Sequence, residues 1–128
     1  MKTILVDAVD TFILEGVGVF EEMHELLEKY PNKKIILTSA NDEQVKMFKV
    51  NEAPYDFFTL KHEPEKSDPK YYRQMLNHFD LSAEDVIYFE HDLGAVKSAQ
   101  SVGITAYHYD MDKKDLGALK EFLDKNSA

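Results

Sequence analysis

Five short apolar runs, each followed by a segment with helical signals, constrain this chain more than any other feature. The runs cover residues 3–9, 34–38, 56–60, 86–89 and 104–109. They are compact blocks rather than apolar–polar alternations, which is the pattern of parallel strands covered on both faces. Between them, Phe20, Met23, Leu26, Leu27 and Tyr30 keep the spacing of a helix face, and Pro31-Asn32 ends it. Asn41-Asp42 can cap a helix over residues 42–50, with Val45 and Phe48 inward. Asp68 and Pro69 open another, through Tyr72, Met75, Leu76 and Phe79. A helix over residues 93–102 closes at Gly103, and a last one begins at Asp112 and runs through Leu116, Leu119, Phe122 and Leu123. The predicted fold is α/β: a Rossmann-like three-layer α/β/α sandwich with a five-stranded parallel sheet and right-handed connections.

At 128 residues the chain fits one domain, 1–128, with residues 125–128 expected to fray. A net charge of -9, with no basic run longer than Lys33-Lys34 or Lys113-Lys114, argues against nucleic acid as a partner. There is no cysteine, hence no disulfide framework and no thiolate chemistry. The apolar run near the N-terminus is broken by Asp7, too short for a signal peptide or a membrane span. A cytoplasmic protein without membrane contact is expected.

Ligands of such sheets bind beyond the carboxyl ends of the strands, where the strand order switches direction. Asp7, Thr38, the loop 61–66 and the segment 90–92 all fall at those ends. Phosphoryl transfer through an aspartyl-phosphate needs a carboxylate nucleophile, a divalent cation, fixed donors for the phosphoryl oxygens and a general acid/base, and a carboxylate, hydroxyl, lysine and acid meet on this edge. The order also resembles that of the haloacid dehalogenase superfamily. Asp7-Ala8-Val9-Asp10-Thr11 resembles its first motif, D-x-D-x-T, and the run ending in Thr38-Ser39-Ala40-Asn41 its second. Lys66-Ser67-Asp68-Pro69 is similar to its K-P-D-P segment, and Glu90-His91 falls on its acidic pair when counted back from Ala99 and Gly103.

The resemblance implies a nucleophile at Asp7, a phosphoryl-binding hydroxyl at Thr38 and a charge-neutralising lysine at Lys66. Thr11, expected to fix the turn through a backbone hydrogen bond, joins Ser39 and Asn41 as candidate substrate contacts. It also implies a metal site built from Asp7, the Val9 carbonyl, Glu90, His91 and Asp92, holding Mg²⁺ or, with an imidazole present, Mn²⁺ or another transition metal. Three departures weaken the pattern. Val9 replaces the acid/base Asp, His91 replaces an acid, and Ala95 removes the later Asp of the alternative motif.

The expected function is therefore an HAD-like phosphohydrolase of reduced or specialised activity, acting on a phosphorylated small molecule or protein. The alternative is a non-catalytic phosphate-binding or protein-interaction domain on the same scaffold. No cap domain fits between the motifs, which leaves a homo-oligomer open as the source of a lid. Residues 12–19 would form the flap, with its apolar side chains packed under the sheet edge. A phospho-receiver domain has the same size and alternation, but here Asp56 precedes its apolar run and no lysine ends the last strand.

Overall fold

The computed structural model describes all residues, 1–128. In chain order the elements are β1 (Thr3–Asp7), β2 (Ile13–Leu14), β3 (Gly18–Val19), α1 (Glu21–Leu27), β4 (Lys34–Thr38), α2 (Asp42–Met47) and β5 (Asp56–Thr59). These are followed by α3 (Pro69–His78), β6 (Val86–Glu90), α4 (Leu93–Ser101), β7 (Thr105–His108) and α5 (Leu116–Asn126). The main sheet has the order β5-β4-β1-β6-β7, and each neighbouring pair is parallel. This is the three-layer α/β fold that the apolar runs predict.

The side chains of each strand alternate between two cores. Ile4, Val6, Ile36, Ile87 and Phe89 pack with Met23 and Leu27 of α1, Val45 of α2, and Leu119 and Leu123 of α5. Leu5, Ile35, Leu37 and Tyr88 pack on the other face with Tyr71, Tyr72 and Met75 of α3 and Ala99 of α4. Burying both faces is what made the strands read as unbroken apolar blocks.

Strand order and chain order together fix where a ligand would bind. The chain runs outward from β1 through β4 to β5, then returns to β6 on the other side of β1. The sheet edge between β1 and β6 is the switch point, and Asp7 and Glu90 are the last residues of those two strands.

Several boundaries differ from the sequence expectation, each for a local reason. The first strand stops at Asp7 instead of running to residue 9, because the backbone turns there. The N–H groups of Thr11 and Ile13 donate to the Ala8 carbonyl, and Asp10 takes a left-handed φ of 71°. Residues 12–19 form the small antiparallel hairpin β2–β3. As expected, Phe12 and Ile13 are buried in the core, while Val17 at the tip is exposed. The last helix begins at Leu116 rather than Asp112. Asp110 accepts from the N–H groups of Asp112 and Lys113 in a turn, and Asp115 caps the helix by accepting from Ala118 N at 3.0 Å. Fraying was expected from residue 125, yet α5 continues to Asn126. The Ser127 carbonyl accepts from Lys2 N at 3.2 Å and from Asn32 Nδ2 at 2.8 Å. No helix is long and apolar enough to cross a membrane.

Candidate functional site

Asp7 is 2% exposed at the carboxyl end of the central strand and is the hub of the site. Its Oδ1 accepts from Lys66 Nζ at 2.6 Å. Its Oδ2 accepts from Thr11 Oγ1 at 2.7 Å, from His91 Nδ1 at 2.5 Å and from the His91 backbone N–H at 3.3 Å. The turn after β1 therefore serves the carboxylate directly. The Thr11 hydroxyl was expected to hold the turn through a backbone bond, but it donates to Asp7 itself. The turn is held instead by main-chain bonds to Ala8.

Glu90 ends β6 and is fully buried. Its Oε1 accepts from Lys66 Nζ at 2.6 Å and from the Tyr88 hydroxyl, and its Oε2 accepts from Asp92 N at 3.1 Å. Tyr88 lies two residues earlier on the same strand, so the pleat puts both side chains on one face. The Tyr88 hydroxyl pairs in turn with that of Tyr72 at 3.2 Å. Lys66 thus bridges two buried carboxylates at 2.6 Å each, and its ammonium also donates to the Leu37 carbonyl at 3.3 Å.

The ionisation behaviour follows from this packing. Burial opposes charge on Asp7, but the Lys66 ammonium and the His91 hydrogen bond outweigh it and hold the carboxyl well below the usual range. Burial also disfavours charge on Lys66, yet Asp7 and Glu90 together keep it firmly protonated. Glu90 is pushed the other way, raised by burial and by the negative charge of Asp7 despite Lys66. His91 is raised chiefly by its hydrogen bond to Asp7.

These groups open onto a cavity of about 410 Å³ that is also lined by Val9, Asp10, Thr38, Ser39 and Asp92. The Thr38 hydroxyl accepts from Ala40 N at 3.2 Å, and its own proton has no protein acceptor. Ser39 Oγ accepts from Lys66 N at 3.3 Å, which ties the lysine loop to the end of β4. Below them, the Tyr71 hydroxyl donates to the Thr38 carbonyl at 2.8 Å. Sequence reasoning missed these tyrosines. The signal for Tyr88 was its two-residue offset from Glu90, whereas Tyr71 and Tyr72 read only as core residues. It also missed Gln44 and His62 on the cavity wall, where His62 Nε2 meets Gln44 Oε1 at 2.6 Å and His62 Nδ1 meets Glu65 Oε1 at 2.7 Å.

Two candidates have other duties. The Asn41 side chain accepts from Gln44 N at 2.9 Å in a capping box and is exposed, so it serves α2. The Asp92 carboxylate accepts from Ala95 N at 2.9 Å as the N-cap of α4. Asp92 lines the cavity, but one of its oxygens, Oδ2, is held on the helix.

A divalent cation can be tested against this donor set. Ligand atoms of Asp7, Glu90 and His91 lie within 4.8 Å of one another. Mg²⁺ calls for an octahedron of hard oxygen donors. Here one of the three groups is an imidazole, and every oxygen of the two carboxylates already accepts a protein hydrogen bond. With Asp92 Oδ2 committed to the helix, the clustered donors do not make the all-oxygen octahedron that Mg²⁺ prefers.

No family profile matches the sequence, and no curated protein matches it. Solved structures do match in fold. An HAD-family enzyme from Bacteroides thetaiotaomicron, a mutant in complex with magnesium and inorganic phosphate, superposes with a TM-score of 0.70 at 11% identity. The match covers 87% of this chain and 95% of that one. An uncharacterized protein from Corynebacterium glutamicum gives 0.65 at 14% identity, covering 97% and 96%. The core domain of a candidate phosphoglycolate phosphatase from Streptococcus pneumoniae gives 0.64 at 15%, also covering 97% and 96%. With its switch point at β1 and β6, this chain has the fold of the haloacid dehalogenase-like hydrolases.

Proposed function

We propose that this chain is a phosphohydrolase of reduced or specialised turnover that works through an aspartyl-phosphate on Asp7. The carboxylate attacks the phosphorus of a phosphorylated small molecule or protein, and the bond from phosphorus to the leaving oxygen breaks. Water then attacks the phosphorus, releases inorganic phosphate and returns Asp7. Lys66 offsets the phosphoryl charge, and the Thr38 hydroxyl donates to a phosphoryl oxygen. The observation that supports this most is the Asp7 carboxylate, held ionised at the switch point by a buried lysine and facing a cavity.

Val9 sets the limit on turnover. It lines the cavity where an acid/base would serve the leaving group, and its isopropyl group can neither give nor take a proton. Loss of such a group slows a reaction by about 10²- to 10⁴-fold. The substrates least affected are those whose leaving group is stable as an anion, the acyl and aryl phosphates. The same residue supports the second reading, a domain that binds phosphate groups without turning them over.

The test is hydrolysis of an aryl phosphate by the wild type, Asp7→Asn and Val9→Asp. Asp7→Asn should abolish activity, and Val9→Asp should raise it by about tenfold or more. Activity that survives Asp7→Asn would remove Asp7 as the nucleophile. A wild type inactive with every phosphate ester, whose Val9→Asp form is equally inactive, would favour the binding domain.

A further inference from the structure

Asp7 and Glu90 face the cavity in the place where a phosphoryl-transfer site would hold its cation, and the Lys66 ammonium and the His91 ring already lie against both carboxylates there. Asp7 receives Lys66 Nζ, Thr11 Oγ1, His91 Nδ1 and the His91 backbone N–H. Glu90 receives Lys66 Nζ, the Tyr88 hydroxyl and Asp92 N, with His91 Nδ1 at 3.3 Å from its other oxygen. A cation between them would have to displace Lys66 or the His91 ring. Both displacements are opposed by the surroundings. Lys66 is held by three acceptors, and the His91 ring by its short bond to Asp7 Oδ2.

The His91 ring sits on Asp7 Oδ2 at 2.5 Å, close to both carboxylates. Its Nδ1 proton is given to Asp7, but its Nε2 carries no protein hydrogen bond and the ring lines the cavity, so the imidazole can donate to the oxygens of a phosphoryl group placed there. Lys66 reaches them from the Oδ1 side, and Thr38 lines the same cavity with its proton free. Donors thus flank the phosphoryl position on both sides of Asp7, where a site of two free carboxylates would need a metal to reverse its charge.

We infer that this chain holds its phosphoryl group without a divalent cation, with the His91 ring filling the cation's position beside Asp7. The inference rests on the proposed phosphoryl site and adds how that site manages charge. It also gives the acid-to-His change at position 91 a role other than decay of a metal site.

The test is calorimetric titration of the full chain with inorganic phosphate in EDTA, in Mg²⁺ and in Mn²⁺. The expected result is binding in EDTA with Kd values that agree within about twofold across all three buffers. His91→Asp should weaken phosphate binding in EDTA by about tenfold and recover most of it when Mg²⁺ is added. Phosphate binding by the wild type only with a cation present, or tightened about tenfold or more by one, overturns the inference while leaving the phosphate site intact. His91→Asp binding as well as wild type in EDTA also overturns it. No binding in any buffer removes the phosphoryl site itself, a different failure. The wild-type comparison decides the question even if the variant does not fold.

Discussion

Replacing Lys66 with methionine is the most demanding test of the charge arrangement. Methionine keeps most of the side-chain stem and removes only the ammonium. Two carboxylates at 2.6 Å from that ammonium, 3% and 1% exposed, then lose their common counter-ion. Breaking a buried ion pair by removing one partner costs about 3–5 kcal/mol, because the charge left behind has no water to return to. With a urea m-value of about 2 kcal/mol/M, the unfolding midpoint at pH 7.5 should fall by about 1.5–2.5 M. The cost should also depend on pH. Without Lys66 the two acids repel, so their folded pKa values rise above the unfolded ones. Stability of the variant is then greatest below the unfolded carboxylate range and is lost as pH rises through the raised values. Urea melts followed by circular dichroism at pH 5 and pH 7.5 should show the gap between variant and wild type narrowing at the lower pH. A midpoint drop below about 0.5 M at pH 7.5, or a gap independent of pH, would refute the claim that Lys66 neutralises both carboxylates.

Further predictions concern the wild-type pH profile and the loop after β6. The raised pKa values of His91 and Glu90 mean that each binds protons more tightly folded than unfolded, so both favour the fold at low pH. The melting temperature should therefore decline as pH rises from about 6 to 8, and a rise over that interval would contradict it. Asp92→Ala should lower stability by about 0.5–2 kcal/mol through loss of the α4 cap, measured by urea melts. A midpoint unchanged by Asp92→Ala would mean that the carboxylate is not holding the helix.

Most of the fold was legible because its signals are local. The five apolar blocks came from strands buried on two faces, and Asp68, Pro69 and Gly103 marked helix ends by their own backbone chemistry. The positions of Asp7, Thr38, Lys66 and Glu90 could be inferred together, since parallel strands bring their carboxyl ends to one edge. What stayed hidden depends on side chains meeting across distant segments. Nothing near Thr11 in sequence shows that its hydroxyl would choose Asp7 over a backbone carbonyl. Asp92 looked like a ligand because acids cluster there, yet the start of α4 had first claim on its carboxylate. His91 read as a flaw in an acidic pair until its ring was found on Asp7, contributed from 84 residues away. The end of the chain misled for a related reason, because Ser127 is held by Lys2 and Asn32, which no local pattern connects.

That last contact has a practical consequence. Lys2 and Ser127 are joined at the amino end of β1, while Asp7 lies at its carboxyl end, roughly 16 Å away along a five-residue strand. The two termini are thus neighbours on the side of the sheet remote from the cavity. A short linker could join them, and new ends opened at Val17, the exposed tip of the hairpin, would give a circular permutant whose sheet order is unchanged. A surface tether or fusion partner attached at residue 1 or residue 128 would likewise leave the mouth of the cavity pointing away from its anchor.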